Sequence, residues 1–295
     1  MPSWQDFQPF IVTGLALGGV YSLSGVGMVV LYRATGVLNL ATGAIGAMGA
    51  LIAWALINDH GWPEGVSYLV CVLFGGVVTL AYGMAFGPPL AGRDPLVKAV
   101  ATLGLALILL GLMSLIWSDK ARSMILPTTK EAFVIGSVFV TWTQVIGVAL
   151  GVAVTVATAA FLRYTKLGTG MRALADDREI TASPRRASAA RRGSGVAGDR
   201  DPVGRVGAAV EHLIGLDAAT LTFLVISSVA AALIARLSSL YGTLAAALFI
   251  GLVQALATPI LSISQYRDMA PFVIAVVALL FMSRKGNLAT ARGAR

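Results

Sequence analysis

Long apolar stretches, separated by short polar segments, follow one another along this chain. They cover about residues 10–31, 34–57, 66–87, 97–117, 141–162, 216–235, 240–261 and 269–282. A helix needs about 20 apolar residues to span the hydrocarbon layer, and helices satisfy their own backbone polar groups there. Of the 295 residues, 57% are hydrophobic and 12% charged, whereas soluble domains have about 25% charged residues. We therefore predict an all-α, polytopic transmembrane helical bundle with about eight visible spans, the last one short, forming one domain over residues 1–295.

The charge balance is basic, with a formal net charge of +8 and an isoelectric point of about 10.0. The Lys and Arg residues lie mainly between spans and at the C-terminus, where membrane topology explains them without a nucleic acid. Cys71 is the single cysteine, which excludes an intrachain disulfide and a cysteine-based metal site. The opening sequence MPSWQDFQPF lacks the basic region of a cleavable signal peptide, so we expect the first helix to be retained.

Basic residues also predict the orientation, because loops rich in Lys and Arg stay in the cytoplasm. Arg33, the segment 93–98 and the segment 163–178 are basic, and they alternate with an N-terminus and a 58–65 loop that contain no Lys or Arg. This alternation places the N-terminus outside the inner membrane and makes the segment 118–140 external.

The second half of the chain breaks this alternation. The positive-inside rule places Arg236, Arg284 and Lys285 in the cytoplasm and Asp217 outside. Residues 183–215 contain six arginines and no apolar run of spanning length, so we predict an Arg-rich, non-spanning segment there, and the count of crossings fails by one. Two explanations stay open: the last three spans are inverted, or a helix is absent because a short stretch is translated in a shifted frame.

The sequence contains no motif that indicates catalysis, ATP binding or ion coupling. His60 and His212 have no metal-ligand partner at a useful spacing, so no catalytic residue and no metal site is predicted. The sequence around Gly168 lacks the Gly-Lys-Ser/Thr of a phosphate-binding loop, so the chain should bind no ATP itself. The spans contain almost no ionisable side chains, which argues against a proton relay or ion coupling.

The best candidate for a solute pathway is the second span, ATGVLNLATGAIGAMGALIAWALI. Glycines and an amide near the start of a span are typical of an interrupted helix, whose freed backbone groups can face a polar solute. The candidate pathway residues are Gly36, Asn39, Thr42 and Gly43. The alternative is that Asn39 and Thr42 only form hydrogen bonds with a neighbouring helix.

A second candidate site is the cytoplasmic segment 163–182, RYTKLGTGMRALADDREITA. Its charged residues flank a small apolar group that includes Met171 and Leu174, which suits a short helix that docks on a soluble partner. The alternative is a solvated connecting loop.

Three motifs in this order resemble one transporter family. They are YRATGVLNLATGAIGAMGA after a Gly-rich first span, RDPLVKAVATLGLALILLG, and TKLGTGMRALADDREIT. Together they resemble the branched-chain amino acid permease family of ABC importers over about residues 10–182 and 216–286. The resemblance implies that residues 166–180 form the coupling helix that sits in a groove of the ATPase subunit. The residues it assigns to that contact are Gly168, Met171, Arg172, Asp176, Asp177 and Glu179.

The same resemblance implies the partners. It places the span of Asn39 beside the translocation path and implies a second, homologous permease, two cytoplasmic ATPase subunits and an external solute-binding protein. ATP would be used by the partners, with no cofactor bound by this chain. The family continues from the coupling segment into an apolar helix, whereas this chain has residues 183–215 there. Branched-chain amino acids are the default substrate; related systems carry other amino acids, urea or short amides.

Two rival functions stay open from the residues alone. An ion-coupled or facilitative carrier would work without ATPases but needs internal repeats or intramembrane charges. A membrane-embedded enzyme is disfavoured because no catalytic set exists. Neighbouring genes for ATPases, a second permease and a secreted binding protein would favour the importer.

Overall fold

The computed structural model describes residues 4–90, 92–118, 132–135, 138–165, 218–260 and 264–293. The elements, in chain order, are α1 (Trp4–Thr35), α2 (Thr42–Asn58), α3 (Glu64–Leu90), α4 (Pro95–Trp117), β1 (Ala132–Ile135), β2 (Val138–Thr141), α5 (Trp142–Tyr164), α6 (Ala218–Ile234), α7 (Leu240–Ala257), a 3₁₀ turn (Ser264–Met269) and α8 (Ala270–Gly293).

The predicted helical bundle is confirmed, with one helix at each of the eight apolar stretches. The helices α1, α3, α4, α5 and α7 contain apolar windows long enough to cross a membrane, whereas the apolar parts of α2, α6 and α8 are shorter. One element was not predicted. The strands β1 and β2 form an antiparallel hairpin in which Ala132 pairs with Thr141 and Ile135 with Val138.

The hairpin leads into α5 through a local capping arrangement. The Thr141 hydroxyl accepts a hydrogen bond from the N–H of Gln144, and the Gln144 side chain accepts one from the N–H of Thr141. This reciprocal pair satisfies two donors that a helix start would otherwise leave open. The Gln144 side chain also donates to the Thr13 hydroxyl at 3.1 Å, which connects the start of α5 to α1.

Helix α1 is the centre of the bundle. Its apolar window is 72% buried, compared with 11% for α3 and 22% for α4 and α5. The burial depends on small residues, because glycines let helix backbones approach closely where lipid supplies no hydrophobic force between helices. A Cβ at Gly18 would lie 2.5 Å from the Cα of Leu248, and one at Gly19 would lie 2.6 Å from the carbonyl oxygen of Gly147. These glycines therefore let α1 pack closely against α7 and α5.

The contacts also give the relative directions of the helices. Along α1, Thr13 contacts Gln144 and Ser22 lies beside Gly151, so α5 runs parallel to α1. Helix α7 runs antiparallel to α1, because Gly14 lies against Leu252 and Gly25 lies against Thr243.

Helix α6 runs parallel to α1 as well. A turn over residues 235–239 joins it to the antiparallel α7. Val29 of α1 clusters with Leu162 near the end of α5, Ala232 near the end of α6 and Leu240 at the start of α7. The chain therefore leaves α5 at one end of the bundle and enters α6 nearer the opposite end.

The helix directions help to choose between the two explanations for the missing membrane crossing. Arg236 follows α6 at the end of the bundle where α1 ends, which is where the positive-inside rule placed it. Of the two explanations, inversion of the last three spans is thus disfavoured. The predicted coupling segment 163–182 and the predicted Arg-rich segment 183–215 lie, apart from Arg163, Tyr164 and Thr165, outside the described residues, and both stay predictions.

Candidate functional site

The second apolar span begins with a non-helical segment, as its sequence predicted. Helix α1 ends at Thr35, and Gly36 follows in a left-handed conformation with φ of 73°, its N–H donating to the carbonyl oxygen of Tyr32 at 2.7 Å. A left-handed glycine after the last helical residue is a common helix terminator. Helix α2 begins only at Thr42. Residues 36–41 thus form the non-helical connection between α1 and α2, and we call them the break.

The break lies inside the bundle. The Thr102 hydroxyl, seven residues into α4, accepts the N–H of Leu40 at 3.1 Å and donates to the carbonyl oxygen of Ala99 at 2.8 Å. Directly after the break, a Cβ at Gly43 would lie 2.5 Å from the carbonyl oxygen of Thr222 on α6. These contacts hold the break against α4 and the start of α2 against α6.

Asn39 and Thr42 form their hydrogen bonds within the break. The Asn39 Oδ1 accepts the N–H of Ala41 at 3.0 Å, and the Thr42 hydroxyl donates to the carbonyl oxygen of Asn39 at 3.0 Å. The contact between helices comes instead from Thr102. The Asn39 amide nitrogen Nδ2 donates no hydrogen bond within the described part of the chain.

The four predicted pathway residues therefore come together around the break, in different roles. Gly36 ends α1, Asn39 and Thr42 shape the turn, and Gly43 allows α6 to approach the start of α2. Their role in the passage of a solute stays a prediction. The backbone of Gly43 lies next to Thr222 and Val225.

Two threonines near the break were not predicted from the sequence. Thr102 is 5% exposed and holds the break against α4, and Thr222 is 6% exposed and lies where α6 meets α2. The Thr222 hydroxyl has no hydrogen-bond partner in the described structure. A lone threonine in a long apolar span is a weak signal, because it often bonds to its own helix. The available clue was Thr102 within the motif RDPLVKAVATLG.

The electrostatic character of the site is neutral. Neither α2 nor α6 carries an ionisable side chain. Over the residues that the structure describes, no three His, Cys, Asp or Glu side chains are grouped to hold a metal ion. The site therefore offers neutral hydrogen-bonding groups. The predicted coupling residues Gly168, Met171, Arg172, Asp176, Asp177 and Glu179 all lie outside the described residues.

Comparisons with known proteins identify the family. The family of branched-chain amino acid transport system permease components matches residues 10–183, more than half of the chain. The high-affinity branched-chain amino acid transport system permease protein LivH of Escherichia coli is 24% identical over 299 residues, covering 91% of each chain. The corresponding permease protein BraD of Pseudomonas aeruginosa is 24% identical over 301 residues, covering 95% of each chain.

Among solved structures, the chain is similar to PsaBC from Streptococcus pneumoniae in complex with Fab. The TM-score is 0.47 at 13% identity, covering 93% of this chain and 89% of that chain. That likeness is too low to carry a conclusion about fold or function. The family match and the two relatives identify the family of this chain. They confirm the resemblance that the three sequence motifs indicated. The chain therefore belongs to the branched-chain amino acid ABC permease family, as a multi-pass membrane component of transporters rather than an enzyme.

Proposed function

We propose that this chain is one of two permease subunits of an ATP-driven importer of branched-chain amino acids. The observation that carries the proposal is the family match over residues 10–183. Relatives described as high-affinity branched-chain amino acid permeases extend the likeness over 91% and 95% of the chain. The break before α2 supports a transport role, because non-helical backbone at the start of a span can present polar groups to a solute.

The proposed partners follow from the family. A second, homologous permease completes the pore, two cytoplasmic ATPase subunits bind and hydrolyse ATP, and an external binding protein delivers the solute. The chain itself binds no cofactor and contacts the lipid bilayer through α3, α4 and α5. Leu107, Leu115 and Val156 are among the apolar side chains exposed on those helices.

We place the N-terminus outside the inner membrane. Helices α1, α5 and α6 run in the same direction, and Arg33, Arg163 and Arg236 lie at or just after their C-terminal ends. Basic residues at one end of a bundle favour the cytoplasmic side. Single cysteines at Asp59 and Thr169 test this orientation by labelling intact cells: Asp59→Cys should react from outside, and a reaction of Thr169→Cys would contradict the assignment.

The proposed mechanism is alternating access. ATP binding closes the two ATPases, and their movement rocks the helices so that the pathway opens first outward and then inward. The start of α2 is suited to face the solute, because Thr102 holds the break against α4 and Gly43 lies against α6.

Uptake in proteoliposomes tests the proposal. The complete transporter, with ATP inside and binding protein outside, should accumulate labelled leucine. A matched complex with a catalytically inactive ATPase should not. Equal uptake by both complexes would favour the facilitative or ion-coupled carrier instead.

The coupling segment has its own test. Arg172→Glu should lower co-purification with the ATPases and solute-stimulated ATP hydrolysis, because like charges at an interface cost several kcal/mol and about 1.4 kcal/mol is a tenfold loss of affinity. The amount of permease in the membrane should not change. Unchanged co-purification and transport after reversing Arg172 and neutralising Asp176 and Asp177 together would show that the segment is only a solvated loop.

A further inference from the structure

We infer that the hairpin of β1 and β2 is a membrane-interface element, with one face resting in the lipid headgroup layer at the end of the bundle where α1 begins. The contact is with the bilayer and not with the solute, so it does not depend on the proposed substrate. It extends the lipid contact of the helices to a segment that does not span the membrane.

The hairpin has one face turned to the bundle and one face turned away from it. Val138 and Val140 of β2 are buried, and β2 packs against α1 and α5, whereas Phe139 is 73% exposed. Side chains alternate between the faces of a strand, and directly paired residues share a face. The pairing of Ala132 with Thr141 therefore places the exposed Ala132 on the same side as Phe139. We call this side the outer face.

The outer face is poorly suited to water. Residues 132–141, AFVIGSVFVT, contain no Asp, Glu, Lys or Arg. The loop between α2 and α3 differs, because Asp59 and His60 are exposed there. A hairpin with one solvated face usually carries polar side chains on that face, yet Phe139 occupies it here. An exposed apolar face on an unpaired strand would also promote aggregation in water.

The backbone of the hairpin is equally unsuited to the hydrocarbon core. In the described part of the chain the sheet consists of these two strands, so each strand has one edge without a neighbouring strand. The N–H and C=O groups of an open edge cannot face hydrocarbon, because no water is present there to satisfy them. The headgroup layer supplies water to the edges and an apolar boundary to the outer face, so it satisfies both requirements.

Helix α5 gives the level of the hairpin independently. It begins at Trp142, directly after β2, and ends at Tyr164, and these side chains are 46% and 78% exposed. Its 23 residues have a length of about 34 Å, which with a modest tilt matches a hydrocarbon layer of about 30 Å. Exposed Trp and Tyr side chains are enriched at both membrane–water interfaces. Trp142 thus marks one interface, and the hairpin lies beside it.

The hairpin also adjoins the lipid-facing surface of α5. The exposed side chains of this helix recur at helical spacing along one face, and they include Trp142, Val145, Ile146, Val152 and Val156. The opposite face contains the buried Thr143, Gly147, Gly151 and Thr155. The Phe133 ring of β1 contacts the Trp142 ring at 5.3 Å between centroids. The hairpin therefore joins the exposed stripe of α5 at its interfacial end.

Spin labels test the depth of the outer face. Phe139→Cys and Ala132→Cys, each in a Cys71→Ser background of the complete transporter in lipid nanodiscs, receive a nitroxide. Collisions with oxygen, which concentrates in hydrocarbon, and with a water-soluble nickel complex then report the depth of each label. Asp59→Cys is the reference for water and Leu107→Cys the reference for hydrocarbon. Both labels of the outer face should lie between the references, about 5–10 Å into the interfacial layer, the depth known for amphipathic helices that lie in it.

The control within the hairpin is Val140→Cys, whose label should collide little with either reagent because this side chain is 4% exposed. A Phe139→Cys label as accessible to nickel as that of Asp59→Cys would overturn the inference and place the outer face in water. Protection from both reagents would instead show a covering subunit, and nickel access that is lost on adding the solute-binding protein would assign the face to that partner. Equal collision rates at Val140→Cys and Phe139→Cys would contradict the two faces themselves.

Discussion

Helices α1 and α4 have similar compositions but opposite environments. Both are long, apolar and rich in small residues, yet the window of α1 is 72% buried and that of α4 is 22% buried. A Cβ at Gly18 of α1 would meet the backbone of α7, whereas a Cβ at Gly104 or Gly111 of α4 would meet nothing within 4 Å. The glycines of α1 thus contact a neighbouring helix, whereas those of α4 face open space.

The difference shows that the neighbour of a glycine, and not its presence, decides its role. Gly14 and Gly18 form a small-xxx-small pair against Gly251, and Gly19 with Ser22 forms a second face against Gly147 and Gly151. Two such faces let α1 hold α7 and α5 at the same time. Helix α4 turns Ala106, Leu109 and Met113 into the core, and its Thr102 holds the break.

Replacing Gly251 with valine should have the largest effect on this packing. The new Cβ would contact the backbone of Gly18 and the carbonyl oxygen of Gly14, so α1 and α7 would have to separate. Overpacking of this kind costs about 1–3 kcal/mol, occasionally more. Thermal unfolding of the purified transporter in detergent should show a clear loss of stability. Gly111→Val is the matched control, and equal losses in both variants would contradict the distinction between the helices.

Thr102→Val should have the next largest effect. It removes the acceptor of the Leu40 N–H, and a buried donor left unsatisfied costs about 1–3 kcal/mol. Stability and leucine uptake should both fall, since the break would lose its attachment to α4. The control Thr155→Val removes only a bond within one helix. Identical behaviour of the two variants would mean that the bond to Leu40 does not hold the break.

Gly104→Ala should stabilise the protein slightly. Alanine is favoured over glycine in a helix by about 0.5–1 kcal/mol, and the added Cβ has open space. The same change at Gly151 should destabilise, because its Cβ would lie 2.6 Å from the carbonyl oxygen of Gly19. Unfolding of the two variants side by side gives the measurement; the same sign of change in both would be evidence against the assigned contacts.

The smallest effect is expected at the polar contact between α1 and α5. A double-mutant cycle with Thr13→Val and Gln144→Leu should give a coupling of about 0.6 kcal/mol, the mean for hydrogen bonds between membrane helices. A coupling near zero would remove Gln144 as a link between the two helices, although its capping of α5 would remain.

The sequence predicted much of this architecture because length and hydropathy are direct consequences of the bilayer. The eight helical stretches followed from that constraint, and the non-helical segment near Asn39 followed from the glycines and the amide at the start of the second span. The hairpin of β1 and β2 was not predicted, because short strands between spans leave no hydropathy signal. Thr222 was not predicted either, because its importance depends on which helix faces Gly43, and periodicity carries no information about the neighbour of a helix. The roles of Arg172 and the other coupling residues stay predictions, because these residues lie outside the described part of the chain.

We propose that the break before α2 lines the path of the solute, while the core of α1 and the outer surface of α4 do not. The most direct test compares single cysteines at Asn39, Ala16 and Leu107 in a Cys71→Ser background, using a membrane-impermeant, positively charged thiol reagent. Ala16 is 0% exposed inside the bundle and Leu107 is 59% exposed on α4. Asn39→Cys should react and be protected by leucine in the complete transporter, and the other two should stay unmodified. An inert or unprotected Asn39→Cys, or equal reaction at all three positions, would contradict the claim.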